Sequence, residues 1–359
     1  MRPCRYASFA TLSILLSASA LSLPARQSAS QNQPPSPQLT PGSPLTVDRD
    51  PVRSPDSQEP APPAVRKEPG GYVLHTEVDE VVLNCTVLEG AQLVPDLKKE
   101  NFHVVEDGVD QTLVSFQHSD LPVSIALVVD NSGSMASKRP SVNKSALDLI
   151  EASNPQDEAF VVNFSDESFI DQDFTSDVNR LREGLAHIES RGGTALRDAV
   201  VASADKLVAD ARNPKQVIIL ITDGDDNASS LDLEQTIRRV QQLSGPVIYS
   251  IGLLFGDEDM SRAEAKHARK ALELLSTETG GIAFFPKNIE QIDQIAAEVA
   301  RDIRTQYTLG YRSTRPATEP GFRNVEVTAQ AKGHGKLTVR TRTGYYPVAR
   351  VAKKDAAGR

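Results

Sequence analysis

Cysteine is scarce: the chain of 359 residues has two, Cys4 and Cys85. They permit at most one internal disulfide, and a zinc centre built on thiolates needs more ligands than that. A basic surplus is also missing, since 39 Lys and Arg stand against 48 Asp and Glu and the pI is near 5.3. That excludes the broad basic field by which nucleic-acid binders displace counterions, so no nucleic-acid partner is expected. Beyond the N-terminal residues no stretch is long and apolar enough to cross a bilayer. Catalytic signatures are equally thin. No Gly-x-Ser-x-Gly or His-Glu-x-x-His occurs, and the six histidines are scattered. Gly333-His334-Gly335-Lys336 carries Gln330 where a phosphate loop needs its first glycine, so it reads as a turn. His267, between Lys266 and Arg269, reads as a solvated side chain. The chain is therefore expected not to be an enzyme.

What is present begins with a targeting pattern. Arg2 and Arg5 precede the apolar stretch from Ala7 to Leu23, the layout of a secretory signal peptide over residues 1–25. The expectation is export to the periplasm or beyond, with no membrane span after cleavage. Cleavage would also remove Cys4. Residues 26–70 hold 11 of the 23 prolines with Ser, Gln and balanced charge, which describes an extended linker. At the other end, residues 349–359 form a polar tail.

Two textures alternate in between. Over 71–120, Val81, Leu83, Cys85 and Val87 alternate with polar or smaller neighbours, giving a strand with one buried face on which Cys85 is a buried small hydrophobe. Phe102 to Glu106 and Thr112 to Phe116 read as a hairpin about Asp107-Gly108. Over 121–304 the pattern changes to continuous apolar runs: Ser124 to Val129, Ala159 to Phe164, Val217 to Ile221, Val247 to Leu254 and Ile282 to Phe285. Such runs suit strands buried on both faces, and amphipathic helical patterns lie between them. The expected fold is α/β, a doubly wound, mostly parallel sheet, in which ligands bind at the carboxyl ends of the strands.

Those ends carry the chemistry. The first run closes in Asp130-Asn131-Ser132-Gly133-Ser134, the third in Thr222-Asp223-Gly224-Asp225, and Gly192-Gly193-Thr194 precedes a helix. Taken singly, Ser132 and Ser134 could cap a helix and Asp223-Gly224 could be a turn. Together they bring two carboxylates and three hydroxyls to one sheet edge, hard oxygen donors suited to Mg²⁺, Ca²⁺ or Mn²⁺. Asp225 and Asp226 read as solvated loop carboxylates, and Asp198 as either a supporting residue or a surface charge.

The constellation resembles the metal-ion-dependent adhesion site of the von Willebrand factor type A family, Asp-x-Ser-x-Ser followed by Thr and Asp on separate loops. Asp130, Ser132, Ser134, Thr194 and Asp223 match it. The resemblance covers roughly Pro122 to Thr305, and the flanks look like a secreted bacterial subgroup of the family. It implies that these five residues hold a divalent cation, Mg²⁺ first among the choices, directly or through water. An acidic side chain of a protein partner would complete the coordination, making the chain an exported adhesion or interaction module. The alternatives are a metal-independent envelope scaffold or assembly factor and, more remotely, a metal-assisted hydrolase.

Segment charge adds one expectation. Residues 71–120 hold ten acidic and two basic residues, and 305–359 three acidic and eleven basic. Each flank is too small to bury a good core alone, so 71–120 and a C-terminal β segment at 305–348 are expected to pair as one β-sandwich-like module with the α/β domain inserted. Within 305–348, Tyr307 to Tyr311 reads as a strand. Val325, Val327, Leu337 and Val339 alternate around the Gly333-His334-Gly335 turn.

Overall fold

In chain order the N-terminal part contributes β1 (Asp50–Pro51), β2 (Glu80–Glu89), β3 (Gln92–Leu93), β4 (Phe102–Glu106), β5 (Val109–Gln111) and β6 (Leu113–Gln117). The central part supplies β7 (Val123–Asp130), α1 (Arg139–Glu151), β8 (Glu158–Phe164), β9 (Ser168–Thr175), α2 (Val178–Ala186), α3 (Leu196–Asp210) and β10 (Lys215–Thr222). It continues with α4 (Leu233–Leu243), β11 (Val247–Gly252), α5 (Arg262–Thr279), β12 (Ala283–Phe284) and α6 (Ile292–Arg304). The C-terminal part adds β13 (Tyr307–Arg312), β14 (Arg323–Ala329), β15 (Leu337–Arg340) and β16 (Gly344–Tyr345). This computed structural model describes residues 50–51, 80–151, 154–186, 190–243, 245–256 and 260–347. The expected signal peptide and polar tail lie outside them, as does the linker apart from Asp50–Pro51.

Among the described residues the central sheet runs β1-β9-β8-β7-β10-β11-β12. β8, β7, β10, β11 and β12 are parallel, and every residue of β7, β8 and β11 is buried, as unbroken apolar runs require. Helices cover both faces. Val142 and Leu149 of α1, Leu181 of α2 and Val299 of α6 pack on one side, while Val200 and Leu207 of α3, Val240 of α4 and Leu272 of α5 pack on the other. The doubly wound α/β architecture is thus present. β9 and β1 extend it antiparallel at one edge. The sequence reading missed β9 because SFIDQDFT is interrupted by two aspartates and is half-buried except at the exposed Asp173, so it has neither an apolar run nor a clean alternation.

The two flanks meet strand by strand. β13 pairs antiparallel with β2 and with β6, β15 pairs with β2, and β14 pairs with β4. Two sheets result, β15-β2-β13-β6 with β3 attached and β16-β14-β4-β5, and they share one buried core containing Leu83, Cys85, Val104, Tyr307, Leu309, Val325 and Val327. β14 alternates strictly, with Arg323, Val325, Val327 and Ala329 inward. Opposite charges do cross between the flanks where Arg315 pairs with Asp107, and a further polar contact sets His334 Nδ1 2.9 Å from Glu89.

Two strand pairings differ from the sequence reading. Asp107 and Gly108, at φ 48° and 81°, make the tight turn, but the partner of β4 is Val109–Gln111. Leu113–Gln117 crosses to the other sheet to pair with β13. Likewise β14 and β15 belong to different sheets. In both cases alternation identified the strand, but hydrogen bonding from the far flank chose its partner.

Candidate functional site

The register of β7 on β10 places Val129 opposite Ile221, so Asp130 and Thr222 end level and the chain leaves the sheet at one place from both strands. Asp130 is fully buried there. Its Oδ1 accepts from the Ser132 N–H at 2.8 Å and its Oδ2 from the Thr222 hydroxyl at 2.5 Å. Burial pushes its carboxyl up to about 6, against the hydrogen bonds from Thr222 and Ser132 and with a small addition from nearby Asp223. Asp223 is buried as well. Ser134 donates to its Oδ1 at 2.8 Å, and the Ser132 and Ser134 hydroxyls stand 3.2 Å apart. Ser132 opens the short 3₁₀ turn Gly133–Met135 without a side-chain cap bond, so the capping reading fails for it.

Thr194 reaches the same place from the loop before α3. Its N–H donates to Asn227 Oδ1 at 2.9 Å, and its carbonyl accepts from the N–H groups of Asn227 and Ala228, which ties this loop to the one following β10. Gly192, at φ +83°, and Gly193 make the approach possible: a Cβ at either would strike the Asp166 carboxylate, and Gly193 N–H donates to Asp166 Oδ1 at 2.8 Å.

An open cavity of about 400 Å³ covers the group, lined by Ser132, Ser134, Thr194, Gly224, Asp225, Asp226 and Glu264 among others. The five residues singled out in the sequence are thereby brought together in two tiers. Hydroxyls face the cavity, and Asp130 and Asp223 lie behind them. This donor set is all oxygen, with no His or Cys, which fits a hard divalent cation. Among the described residues no cluster of three or more His, Cys, Asp or Glu forms a metal centre, here or elsewhere, so any cation at this site would rest on the hydroxyls as well as the two aspartates.

Several neighbouring groups depart from the sequence reading. Asp226 is not a solvated loop carboxylate: it accepts from the Arg197 N–H and guanidinium and from the Ser229 N–H and hydroxyl. Burial opposes its ionisation, yet these bonds hold it below the ordinary carboxylate value. Asp225 and His267 pair at 2.6 Å, so His267, though exposed, is not simply solvated. Asp198 accepts from the N–H groups of Ser230 and Leu231, fixing the loop after β10 rather than facing the cavity.

Two cations were missed. Lys138 Nζ donates to Asp223 Oδ2 at 2.6 Å with the lysine side chain 8% exposed. Arg139 lies beneath, donating to Asn163 Oδ1 at 2.9 Å and to the carbonyls of Leu185 and Asp130, with burial pulling it down to about 10. The available signal was the position of both at the start of α1. Positive side chains there oppose the helix dipole and need an anionic partner close by.

Fold and site together define a doubly wound α/β domain with a hydroxyl-rich polar site at the carboxyl ends of its strands. Residues 125–225 match the family model of the von Willebrand factor type A domain, and the chain carries such a domain. Inter-alpha-trypsin inhibitor heavy chain H4 of Homo sapiens is 27% identical over 241 residues, and that of Bos taurus 25% identical over 229. These alignments cover 60% and 57% of this chain but 24% of each relative, so the chain spans about a quarter of the length of the curated proteins it matches. Among solved structures, the vWF domain of the type V pili tip protein Mfa5 from Porphyromonas gingivalis aligns with TM-score 0.40 and 15% identity, covering 51% of this chain and 97% of that one. The pilus adhesin SpaC from Lactobacillus rhamnosus GG aligns with TM-score 0.43 and 12% identity, covering 69% and 46%.

Proposed function

We propose that the chain is an exported, metal-dependent interaction module and not an enzyme. In this reading Ser132, Ser134 and Thr194 hold a divalent cation, Mg²⁺ in preference to Ca²⁺ or Mn²⁺, with Asp130 and Asp223 binding it or orienting its water. The observation that carries the reading is the two-tier arrangement: three hydroxyls toward an open cavity with two buried carboxylates behind them. Largely neutral direct donors leave a cation electron-poor, so it attracts one more anionic oxygen from outside. A carboxylate side chain of a protein partner supplies that oxygen, and the open mouth of the cavity admits it. The same reading assigns residues 1–25 to export, 26–70 to a spacer and the paired flanks 71–120 and 305–348 to one β-sandwich-like module that carries the interaction domain at 121–304.

The test is calorimetric titration of the full chain with Mg²⁺, followed by capture of partners from the producing cell's envelope and medium in Mg²⁺ and in EDTA. Wild type is expected to bind one Mg²⁺, and Asp130→Ala to abolish both that binding and any EDTA-sensitive capture. A second reading, a metal-independent scaffold, has the Lys138–Asp223 pair in its favour, because that pair already neutralises one carboxylate. Capture indifferent to EDTA and to Asp130→Ala would select it.

A further inference from the structure

Lys138 stands at the cation site with the wrong charge for a residue that should help a cation bind. Its ammonium is 2.6 Å from Asp223 Oδ2, while Ser134 occupies Oδ1 of the same carboxylate. The pair is nearly dry, with side-chain exposures of 8% and 0%. The Phe255 ring lies 5.7 Å from Nζ, which adds a second favourable environment for the positive charge. Behind it the Arg139 guanidinium donates to the carbonyl of Asp130 at 3.4 Å and to Asn163 Oδ1 at 2.9 Å. The two buried aspartates therefore already have two cations beside them before any ion from solution is added, with Asp225, Asp226 and Glu264 of the cavity lining outside this pairing.

We propose that Lys138 is a resident counter-cation of Asp223: it keeps that carboxylate paired without a divalent ion, and it sets the affinity for that ion low. The proposal rests on the reading of this site as a divalent-cation site. An incoming ion must share Asp223 with the ammonium or displace it from the carboxylate. Either course sacrifices part of a charge-assisted hydrogen bond in a poorly solvated place, where such bonds are strong. A weakly held ion then depends on the partner's carboxylate for tight retention, so metal and partner bind cooperatively. The family pattern of two aspartates, two serines and a threonine says nothing about this residue, which immediately precedes α1.

The test compares wild type, Lys138→Met, Lys138→Gln and Lys138→Arg as full chains, by Mg²⁺ calorimetry and by thermal melts in EDTA and in saturating Mg²⁺. The wild type is expected to gain less in melting temperature from Mg²⁺ over EDTA than Lys138→Met gains at the same Mg²⁺ concentration, because the stabilisation follows the ratio of free ion to Kd. Lys138→Met is expected to bind Mg²⁺ about ten-fold tighter, equivalent to ~1.4 kcal/mol, and to melt lower in EDTA than in Mg²⁺. Lys138→Gln, which retains a donor for Asp223 without the charge, provides the same affinity readout should the methionine variant not fold. Lys138→Arg restores wild-type affinity, which loss of packing alone would not predict. Unchanged or weaker Mg²⁺ binding in the neutral variants overturns the proposal while leaving the metal site itself intact. Absence of Mg²⁺ binding in wild type and in every variant overturns the metal-site reading, and the proposal with it.

Discussion

Glu106 offers the sharpest test of how the flanks are joined. It is the last residue of β4, from the N-terminal flank, and its side chain is 0% exposed. Its side-chain partners among the described residues come from the C-terminal flank: the Tyr311 hydroxyl donates at 2.7 Å, the Tyr345 hydroxyl at 3.0 Å, the Ser313 hydroxyl donates as well, and Arg323 Nη1 is 3.6 Å away. Glu106→Ala deletes the acceptor at the centre of this group. The losses are unequal. Arg323 keeps the carbonyls of Arg315 and Pro316 and the Ser313 hydroxyl, and Tyr345 keeps a contact to Arg323 at 3.3 Å. Tyr311 loses its acceptor outright, which costs about 1–3 kcal/mol for a stranded buried hydroxyl. Removing a buried carboxylate opposite an arginine costs about 3–5 kcal/mol in general. Because Arg323 retains other acceptors, the expected loss is about 3 kcal/mol, at the low end of that range.

The chain has no tryptophan, so tyrosine emission reports on unfolding, and Tyr307, Tyr311 and Tyr345 all lie in the flank core. Urea titration followed by tyrosine fluorescence and by far-ultraviolet circular dichroism gives the flank transition and the whole-chain transition in one experiment. Glu106→Gln, which retains one carbonyl oxygen, is expected to lose about half as much as the alanine variant. A double-mutant cycle of Glu106→Gln with Tyr311→Phe should show a coupling of about 1 kcal/mol or more. A loss below about 1 kcal/mol for Glu106→Ala, with an unchanged slope on urea, would refute the view that this cluster ties the two flanks together.

Three further outcomes follow from buried ionisable groups. Lys215 is buried with its Nζ on the Ile303 carbonyl at 2.7 Å, and burial lowers it to about 8, so between pH 8 and 10.5 the native state has released a proton that the unfolded chain still holds. Stability rises with pH across that window, and the difference between wild type and Lys215→Met should move in favour of wild type by on the order of 3 kcal/mol in paired melts from pH 7 to 10.5. Cys85, whose thiol burial pushes up to about 12, should resist alkylation at pH 8 in the native protein and react on unfolding, as mass spectrometry would show. Asp226→Asn removes the charge from an acceptor of four hydrogen bonds and should cost about 2 kcal/mol at pH 7 by urea titration. Because the native Asp226 is held below its ordinary value, that difference should shrink as pH falls below about 4.

The contrast between legible and illegible elements follows from what each depends on. Ser124 to Val129 could be read as a central strand because burial on both faces leaves no room for a polar residue, and that constraint is local. β9 could not, because next to the sheet edge, with only the two-residue β1 beyond it, it is not sealed on both faces and tolerates Asp171 and Asp173. The flank strands fall between these cases. Their alternation is local, but the choice of partner depends on residues more than 200 positions away, as in Tyr307 opposite Cys85. Opposite flank charge pointed to association and could not specify which strands pair, since screened surface charges act over several ångströms without regard to register.

At the site, a motif identifies residue types but not depth. Asp130 and Ser132 are two positions apart, yet the first is sealed beneath the second because Asp130 is still inside the sheet, level with Thr222 on the neighbouring strand, while Ser132 has already turned toward the cavity. Depth is what separates the two tiers: under the proposed reading the buried Asp130 and Asp223 bind the cation or orient its water from behind the hydroxyls. Lys138 continues the same logic from the opposite direction. It could be recognised in the sequence only by asking why two adjacent cations begin a helix whose dipole repels them, and the structure supplies the anion that makes this arrangement stable, Asp223.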